Sequence, residues 1–189
     1  LGGFRTGVTS DDVLTSLSKG GIIDLVQHHV VQTGDAIFIP AGLIHALGPG
    51  LLIYEVQQTS DITYRVYDWD RPMTSGRKLH LEQAGVVLNP ELGGRLISAS
   101  SFKGDQKTSL VTSNYFTLEL ITGEDGSLRM DTQGESFAAF TLLDGKVIVR
   151  GGDWRFELGR FETLLIPAVC GAHQLEFVGS VRGLNAFVP

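Results

Sequence analysis

Residues 34–71 read GDAIFIPAGLIHALGPGLLIYEVQQTSDITYRVYDWDR, a run that holds most of the polar chemistry of the chain. Its alternation predicts three strands, Asp35 to Pro40, Leu51 to Gln57 and Ile62 to Tyr67. The turn signal Pro40-Ala41-Gly42 follows the first strand and delivers His45 just beyond it. On the second strand Leu51, Ile53, Glu55 and Gln57 share one face. On the third, Thr63, Arg65 and Tyr67 share a face while Ile62, Tyr64 and Val66 take the other. With the right register, an imidazole, a carboxylate and a guanidinium would point into one cavity.

Composition narrows the classes. A chain of 189 residues suits one large or two small domains and can bury a real core. Hydrophobic residues at 42% and charged residues at 19% exclude disorder. The net charge of −6, with no basic run, argues against a nucleic-acid surface and gives no electrostatic reason to expect an anionic membrane as partner. No apolar stretch approaches the ~20 residues of a membrane span, and the N-terminus lacks the regions of a signal peptide. Cys170 is the single cysteine, so no intramolecular disulfide can form, which fits a reducing cytoplasm. The chain begins at Leu1 rather than Met and reads as a fragment.

The spacing Gly34-x5-Pro40-x-Gly42-x2-His45 resembles the second motif of the cupin superfamily, whose histidine is a metal ligand at the mouth of a small β-barrel. The longer string Glu55-x-Gln57-x2-Ser60-Asp61-x-Thr63-Tyr64-Arg65-x-Tyr67-Asp68-x2-Arg71 is more specific. It resembles the zinc-dependent type I mannose-6-phosphate isomerases, particularly the short bacterial kind. The resemblance covers residues 1 to 90 well and the rest in outline. It implies that His45 is a zinc ligand, that Arg65 is the catalytic arginine, that Glu55 is an active-site carboxylate in proton transfer, and that Arg71 lies near the phosphate of a hexose 6-phosphate. Two departures stand out. The asparagine expected four residues after the histidine is Pro49, which these isomerases tolerate. The other ligands of the family, a Gln-x-His pair and a glutamate, are expected upstream of Leu1.

The chemistry suits those roles. Moving a proton between C1 and C2 of an open-chain sugar phosphate needs a Lewis acid or cation, a base and a phosphate clamp. Arg65 cannot deprotonate and is a fixed positive charge for an oxyanion. Glu55 is the only carboxylate on the inward face of its strand, whereas Asp61 caps the turn. Arg71 can fork onto phosphate oxygens.

Along the chain, residues 1–7 look like the end of a strand whose partners are missing. Thr9-Ser10-Asp11-Asp12 offers a helix N-cap and an acidic first turn before Val13, Leu14 and Leu17, and Gly20-Gly21 stops the helix. A short apolar turn covers Ile22 to Val26. His28 and His29 are adjacent, would face opposite ways on a strand, and are read as ordinary surface residues. Pro72 to Arg77 is a loop. Leu79 to Leu88 is a short helix with Leu81, Ala84, Val87 and Leu88 inward, and His80 is a capping or surface residue at its start. Residues 98–107 are polar enough to link two domains.

From Leu110 onward short strands alternate with turns at Gly123 to Gly126, Asp144-Gly145 and Gly151 to Asp153, as in an antiparallel sandwich or barrel. Gly159 to Pro167 echoes Gly34 to Pro40, so the half is read as a second, eroded cupin. Phe137 to Phe140 stands where a metal-binding copy would show His-x-His. His173 and Cys170 are therefore read as structural and this unit as metal-free.

The expected fold is all-β, two cupin-like (jelly-roll) units with a few short helices. Residues 1–97 form the first, truncated at its N-terminus, 98–107 the linker and 108–189 the second. The expected function is zinc-dependent mannose-6-phosphate isomerase, inactive as this chain alone, cytoplasmic, with no nucleic-acid or membrane partner. Homo-dimerisation through the truncated sheet edge is expected. The rival readings are a non-catalytic sugar-binding or regulatory cupin and another metal-dependent cupin such as a dioxygenase.

Overall fold

The computed structural model describes residues 1–69, 71, 77–99 and 106–189. They are mostly β with a few short helices, the class expected from the sequence. The chain divides into two compact units, Leu1–Tyr54 with Thr59–Ala99, and Glu55–Gln58 with Ser100–Pro189. The loop read over Pro72 to Arg77 and the linker read over 98–107 fall largely outside the described residues.

In the first unit helix α1, Ser10–Lys19, starts on a capping box. The Thr9 hydroxyl donates to Asp12 Oδ2 at 2.6 Å and accepts from the Asp12 N–H at 3.2 Å, while the Thr9 N–H donates to the same carboxylate at 2.9 Å. Two otherwise orphaned donors are satisfied. Val13 and Leu17 are buried one turn apart with Ile22 of α2 (Ile22–Leu25), Val26 and Ile44, while Leu14 is exposed. Helix α3, Leu81–Val87, buries Ala84 and packs Leu81 and Leu88 against this core. Val87, read as inward, is exposed because the helix ends there and its C-cap Leu88 turns extended.

The first of the three strands forms as β1, Ala36–Phe38, and its antiparallel partner is β2, Arg95–Ile97. The other two do not form. Residues 51–58 and 62–67 carry no ladder, and Leu52 and Ile62 are 84% and 66% exposed. Alternation describes which side chains would share a face, but a strand also needs a second backbone to satisfy its N–H and C=O groups. Neither segment meets a second backbone in ladder register among the described residues.

Residues 1–4, in contrast, have the partners the sequence reading judged missing. Gly2 N–H donates to Gln27 O at 3.1 Å and Gln27 N–H to Gly3 O at 2.9 Å on one side. On the other, Gly3 N–H donates to Ile44 O at 2.9 Å and Ala46 N–H to Leu1 O at 3.1 Å. The segment lies between two others, with isolated bridges at Gly2 to His45 and Phe4 to Val26.

The second unit is one six-stranded antiparallel sheet in the order β3-β4-β8-β5-β6, with β7 also on β5. Its strands are β3 Lys107–Thr112, β4 Thr117–Asp131, β5 Ala138–Gly151, β6 Trp154–Leu158, β7 Thr163–Ile166 and β8 Ala172–Phe187. The expected turns at Gly123 to Gly126 and Asp144-Gly145 are irregularities inside long strands instead. Asp125, Gly126 and Gly145 have positive φ, and Gly179 N–H donates to Asp125 Oδ1 at 2.8 Å. A glycine at positive φ bends a strand as readily as it reverses one. The outcome depends on whether a neighbour continues alongside, and β8 does.

The inward residues of this sheet form one core around Ile121, Phe140, Leu142, Val147, Val149 and Leu175, each no more than 1% exposed. Burial of each such side chain contributes roughly 1.5–3 kcal/mol.

Candidate functional site

His45 sits just past the turn that follows β1. Leu43 N–H donates to Pro40 O at 3.1 Å, closing the turn, and Gly42 has φ +88°. A Cβ at Gly42 would lie 2.8 Å from Val87 O, so the turn and the end of α3 approach only because this residue is glycine. His45 is exposed, and its Nδ1 donates to Leu43 O at 3.0 Å. With the proton on Nδ1, Nε2 keeps a free lone pair. Metal-binding histidines use this arrangement, in which the second ring nitrogen is tied to a carbonyl and fixes the tautomer.

Arg65 is half-buried and held through its main chain. Its N–H donates to His80 Nδ1 at 3.2 Å, and the His80 N–H donates to Arg65 O at 2.8 Å. The neighbours Val66 and Tyr67 pack on the first core, and the Tyr64 ring lies 6.0 Å from the His80 ring. His80 occupies the N-cap position of α3 but makes no side-chain cap bond. It acts instead as the acceptor for the Arg65 main chain, a role that no local pattern announces because fifteen residues separate the two. Among the described residues the Arg65 guanidinium makes no ion pair.

Arg71 is exposed and anchored. Its Nη1 lies 3.3 Å from Asp68 Oδ1, and Arg77 Nη1 lies 3.2 Å from the same oxygen. The Asp68 side chain is 11% exposed, and its Oδ2 is buried without a hydrogen bond among the described residues. One carboxylate thus gathers two guanidinium groups, each with most of its five donors left for another anion. Asp68 stands in the quoted string without a role, and Arg77 was named only as the end of a loop. The i,i+3 spacing of Asp68 and Arg71 was the available signal for half of this cluster.

Glu55 is exposed and falls in the segment Glu55–Gln58, which groups with the second unit, while His45, Arg65 and Arg71 belong to the first. Among the described residues no set of three His, Cys, Asp or Glu side chains is arranged to hold a metal ion. His45 fits as one ligand of such a set. His29 donates its Nε2–H to Gly2 O at 2.9 Å, so this imidazole is engaged with the main chain.

In the second unit His173 repeats the local geometry of His45: its Nδ1 donates to the carbonyl two residues earlier, Gly171 O, at 3.0 Å. It is buried, with its ring 6.3 Å from that of Trp154.

This arrangement of an open imidazole, a main-chain-anchored arginine and an arginine pair suits a protein that handles an anionic polar substrate. The chain shares its fold with a solved enzyme structure. It superposes on the crystal structure of the mannose 6-phosphate isomerase from Bacillus subtilis with a TM-score of 0.78 and 25% identity, covering 98% of this chain and 59% of that one. In sequence it is 35% identical over 174 residues to the mannose-6-phosphate isomerase of Streptococcus mutans, 89% of this chain and 54% of that protein. It is also 28% identical over 176 residues to the mannose-6-phosphate isomerase ManA of Bacillus subtilis, 91% and 55% respectively. No family model matches. The resemblance carried by residues 34–71 therefore extends over nearly the whole chain, and the chain spans about half the length of the curated relatives it matches. Among the described residues no helix is long and apolar enough to cross a membrane.

Proposed function

We propose that this chain carries part of the site of a cytoplasmic mannose-6-phosphate isomerase, which interconverts mannose 6-phosphate and fructose 6-phosphate. The observation that carries the reading is the 35% identity to the Streptococcus mutans isomerase over 89% of the chain. Arg65, its main chain held on both sides by His80, places a permanent positive charge beside the oxygen that becomes negative in the enediol. Beside that charge the proton between C1 and C2 needs a carboxylate or a water to carry it, the role that the family resemblance gives Glu55. Arg71, with Arg77 beside it, binds the phosphate, which competes with Asp68 for the guanidinium donors.

Zinc belongs to this proposal as a Lewis acid for the sugar carbonyl, with His45 Nε2 as one ligand. Zinc sites usually take three protein ligands or more, and the family resemblance assigns the others to a Gln-x-His pair and a glutamate. No step above depends on the metal.

The test is an isomerase assay coupled to fructose 6-phosphate detection, with added zinc, on a protein in which the ligands expected upstream of Leu1 are supplied to this chain, beside metal analysis of that same purified protein. Turnover that falls by ~10²-fold or more in Arg65→Ala with little change in KM supports the assignment of Arg65. Arg71→Ala should chiefly raise KM, because the phosphate contact is made equally in ground and transition states. Saturable binding of mannose 6-phosphate without turnover or zinc uptake would refute the catalytic reading and favour a sugar-binding protein.

A further inference from the structure

Aromatic rings gather at one end of the inward face of the second sheet. Met130 on β4 stands opposite His173 on β8, and Gly151 on β5 opposite Trp154 on β6. Two residues along, Leu128, Leu175, Val149 and Phe156 come level on the same four strands. Direct partners in a ladder project from one face, and so do alternate residues of a strand. Val149 and Leu175 belong to the core. Trp154, Phe156 and His173 therefore share the core-facing side.

The three rings follow one another in a row. The Phe156 and Trp154 centroids lie 6.1 Å apart with the planes at 42°, and those of Trp154 and His173 lie 6.3 Å apart at 38°. The indole lies over bare backbone at Gly151, where an added Cβ would meet it at 2.6 Å. Trp154 packs against the core while Phe156 is 52% exposed. A row that starts in the core and ends in solvent is a shelf, not a cage closed around one point.

Three polar groups border this shelf without a partner among the described residues. His173 is 5% exposed and its Nδ1 donates to Gly171 O at 3.0 Å, so Nε2 carries the lone pair of the neutral ring. Nε2 makes no hydrogen bond, and it is not sealed off, since His173 lines one cavity with Trp154 and Asp153. The indole N–H of Trp154 is also unpaired, although an indole seated in a protein usually finds an acceptor. Asp153, exposed on the turn between β5 and β6, makes no hydrogen bond or ion pair. Polar groups placed against a core are ordinarily satisfied, so a ligand is the missing partner that this arrangement fits.

We propose that this shelf binds a neutral sugar ring in its closed, pyranose form. A pyranose has an apolar face of C–H groups and a rim of hydroxyls that both donate and accept. The C–H face lies on Trp154, hydroxyls donate to His173 Nε2 and to the Asp153 carboxylate, and one that reaches past the edge of the indole accepts from its N–H. An aromatic wall with a few convergent polar groups is the usual make-up of a small-molecule site. Two of the three polar groups are acceptors, which disfavours phosphate, and a row of rings does not surround an organic cation as an aromatic cage does. The argument lies wholly within the second unit and does not rest on the isomerase reading.

The test is an amide and indole NMR titration of the whole chain with methyl α-mannopyranoside. This probe carries no phosphate and its ring cannot open, so it cannot be isomerised and its binding is independent of turnover. The expected result is saturable shifts confined to residues 128–130, 151–156 and 171–175, with the Trp154 indole N–H among them. Its cross-peak is told from that of Trp69, the other tryptophan, by Trp69→Phe. Trp154→Leu should weaken binding about tenfold or more, through loss of both the ring face and the N–H. Asp153→Ala, on an exposed turn, should weaken it about threefold to tenfold. Should Trp154→Leu lose the dispersed spectrum of a folded protein, Asp153→Ala decides alone. Absent local shifts, or unchanged affinity in either folded variant, would overturn the proposal. So would tetramethylammonium, inorganic phosphate or cyclohexanol binding as tightly as the mannoside, since these lack the sugar's set of hydroxyls. Shifts confined to residues 45–71 would also overturn it by placing the sugar in the first unit.

Discussion

Replacing His80 tests how Arg65 is held. The Nδ1 of His80 is the acceptor for the Arg65 N–H at 3.2 Å, and no other bond to that N–H is present among the described residues. His80→Ala removes the acceptor and leaves the main-chain bond from His80 N–H to Arg65 O in place. A hydrogen bond of this kind is worth about 0.5–1.5 kcal/mol net, with a further cost when the abandoned donor is buried. Arg65 is half-buried, so water can reach part of the vacated space and the middle of the range applies without the further cost. About 1 kcal/mol corresponds to a roughly fivefold change in the local opening equilibrium. The Arg65 amide should therefore exchange with deuterium about fivefold faster in His80→Ala, while amides of the second unit keep their rates. His80→Asn places a side-chain oxygen near the position of Nδ1 and should restore most of the protection. If the mechanism above holds, turnover follows the same order, wild type, then Asn, then Ala. Unchanged exchange of Arg65 in His80→Ala, or equal loss in Asn and Ala, would refute the idea that the ring acceptor holds this main chain.

Gly183→Ala would bring a Cβ to 2.6 Å from Phe140 Cζ, where ordinary contact begins at 3.4 Å, and Phe140 is 1% exposed with nowhere to turn. Urea denaturation should show a loss of ~1–3 kcal/mol, partly recovered by adding Phe140→Leu; additive losses would show that the clash is relaxed elsewhere. Leu142→Ala, at a fully buried site in the same core, should cost ~2–5 kcal/mol, read by the same denaturation. Asp12 is held below the usual aspartate range first by the Thr9 hydroxyl and then by the Thr9 N–H, and Asp35 by the N–H groups of Ala99 and Gln32. Carboxylates with lowered values stabilise the fold above their unfolded pKa and lose that contribution as pH falls through the folded value. Carboxyl NMR titration should therefore place both below free aspartate, and Thr9→Ala should raise Asp12 alone.

Local signals determined much of this protein. The capping box at Thr9, the turn before His45 and the inward alternation of the second unit each depend on residues a few positions apart, so short-range sterics and hydrogen bonding decide them. The family resemblance was legible for the same reason, because residues 34–71 are contiguous. Tertiary structure decided what required a distant partner. Leu51 to Gln57 and Ile62 to Tyr67 alternate like strands yet have no ladder, whereas Leu1 to Phe4 finds two neighbours that its own composition does not announce. Gly126 and Gly145 looked like turns and became bends because β8 runs on beside them. His80 reaches Arg65 across fifteen residues, and Arg129, Gln174, Arg150 and Arg155 come level on the second sheet from four separate strands. In each case the deciding contact is between segments remote in sequence, and pairing between remote segments is a property of the packed chain rather than of either segment alone.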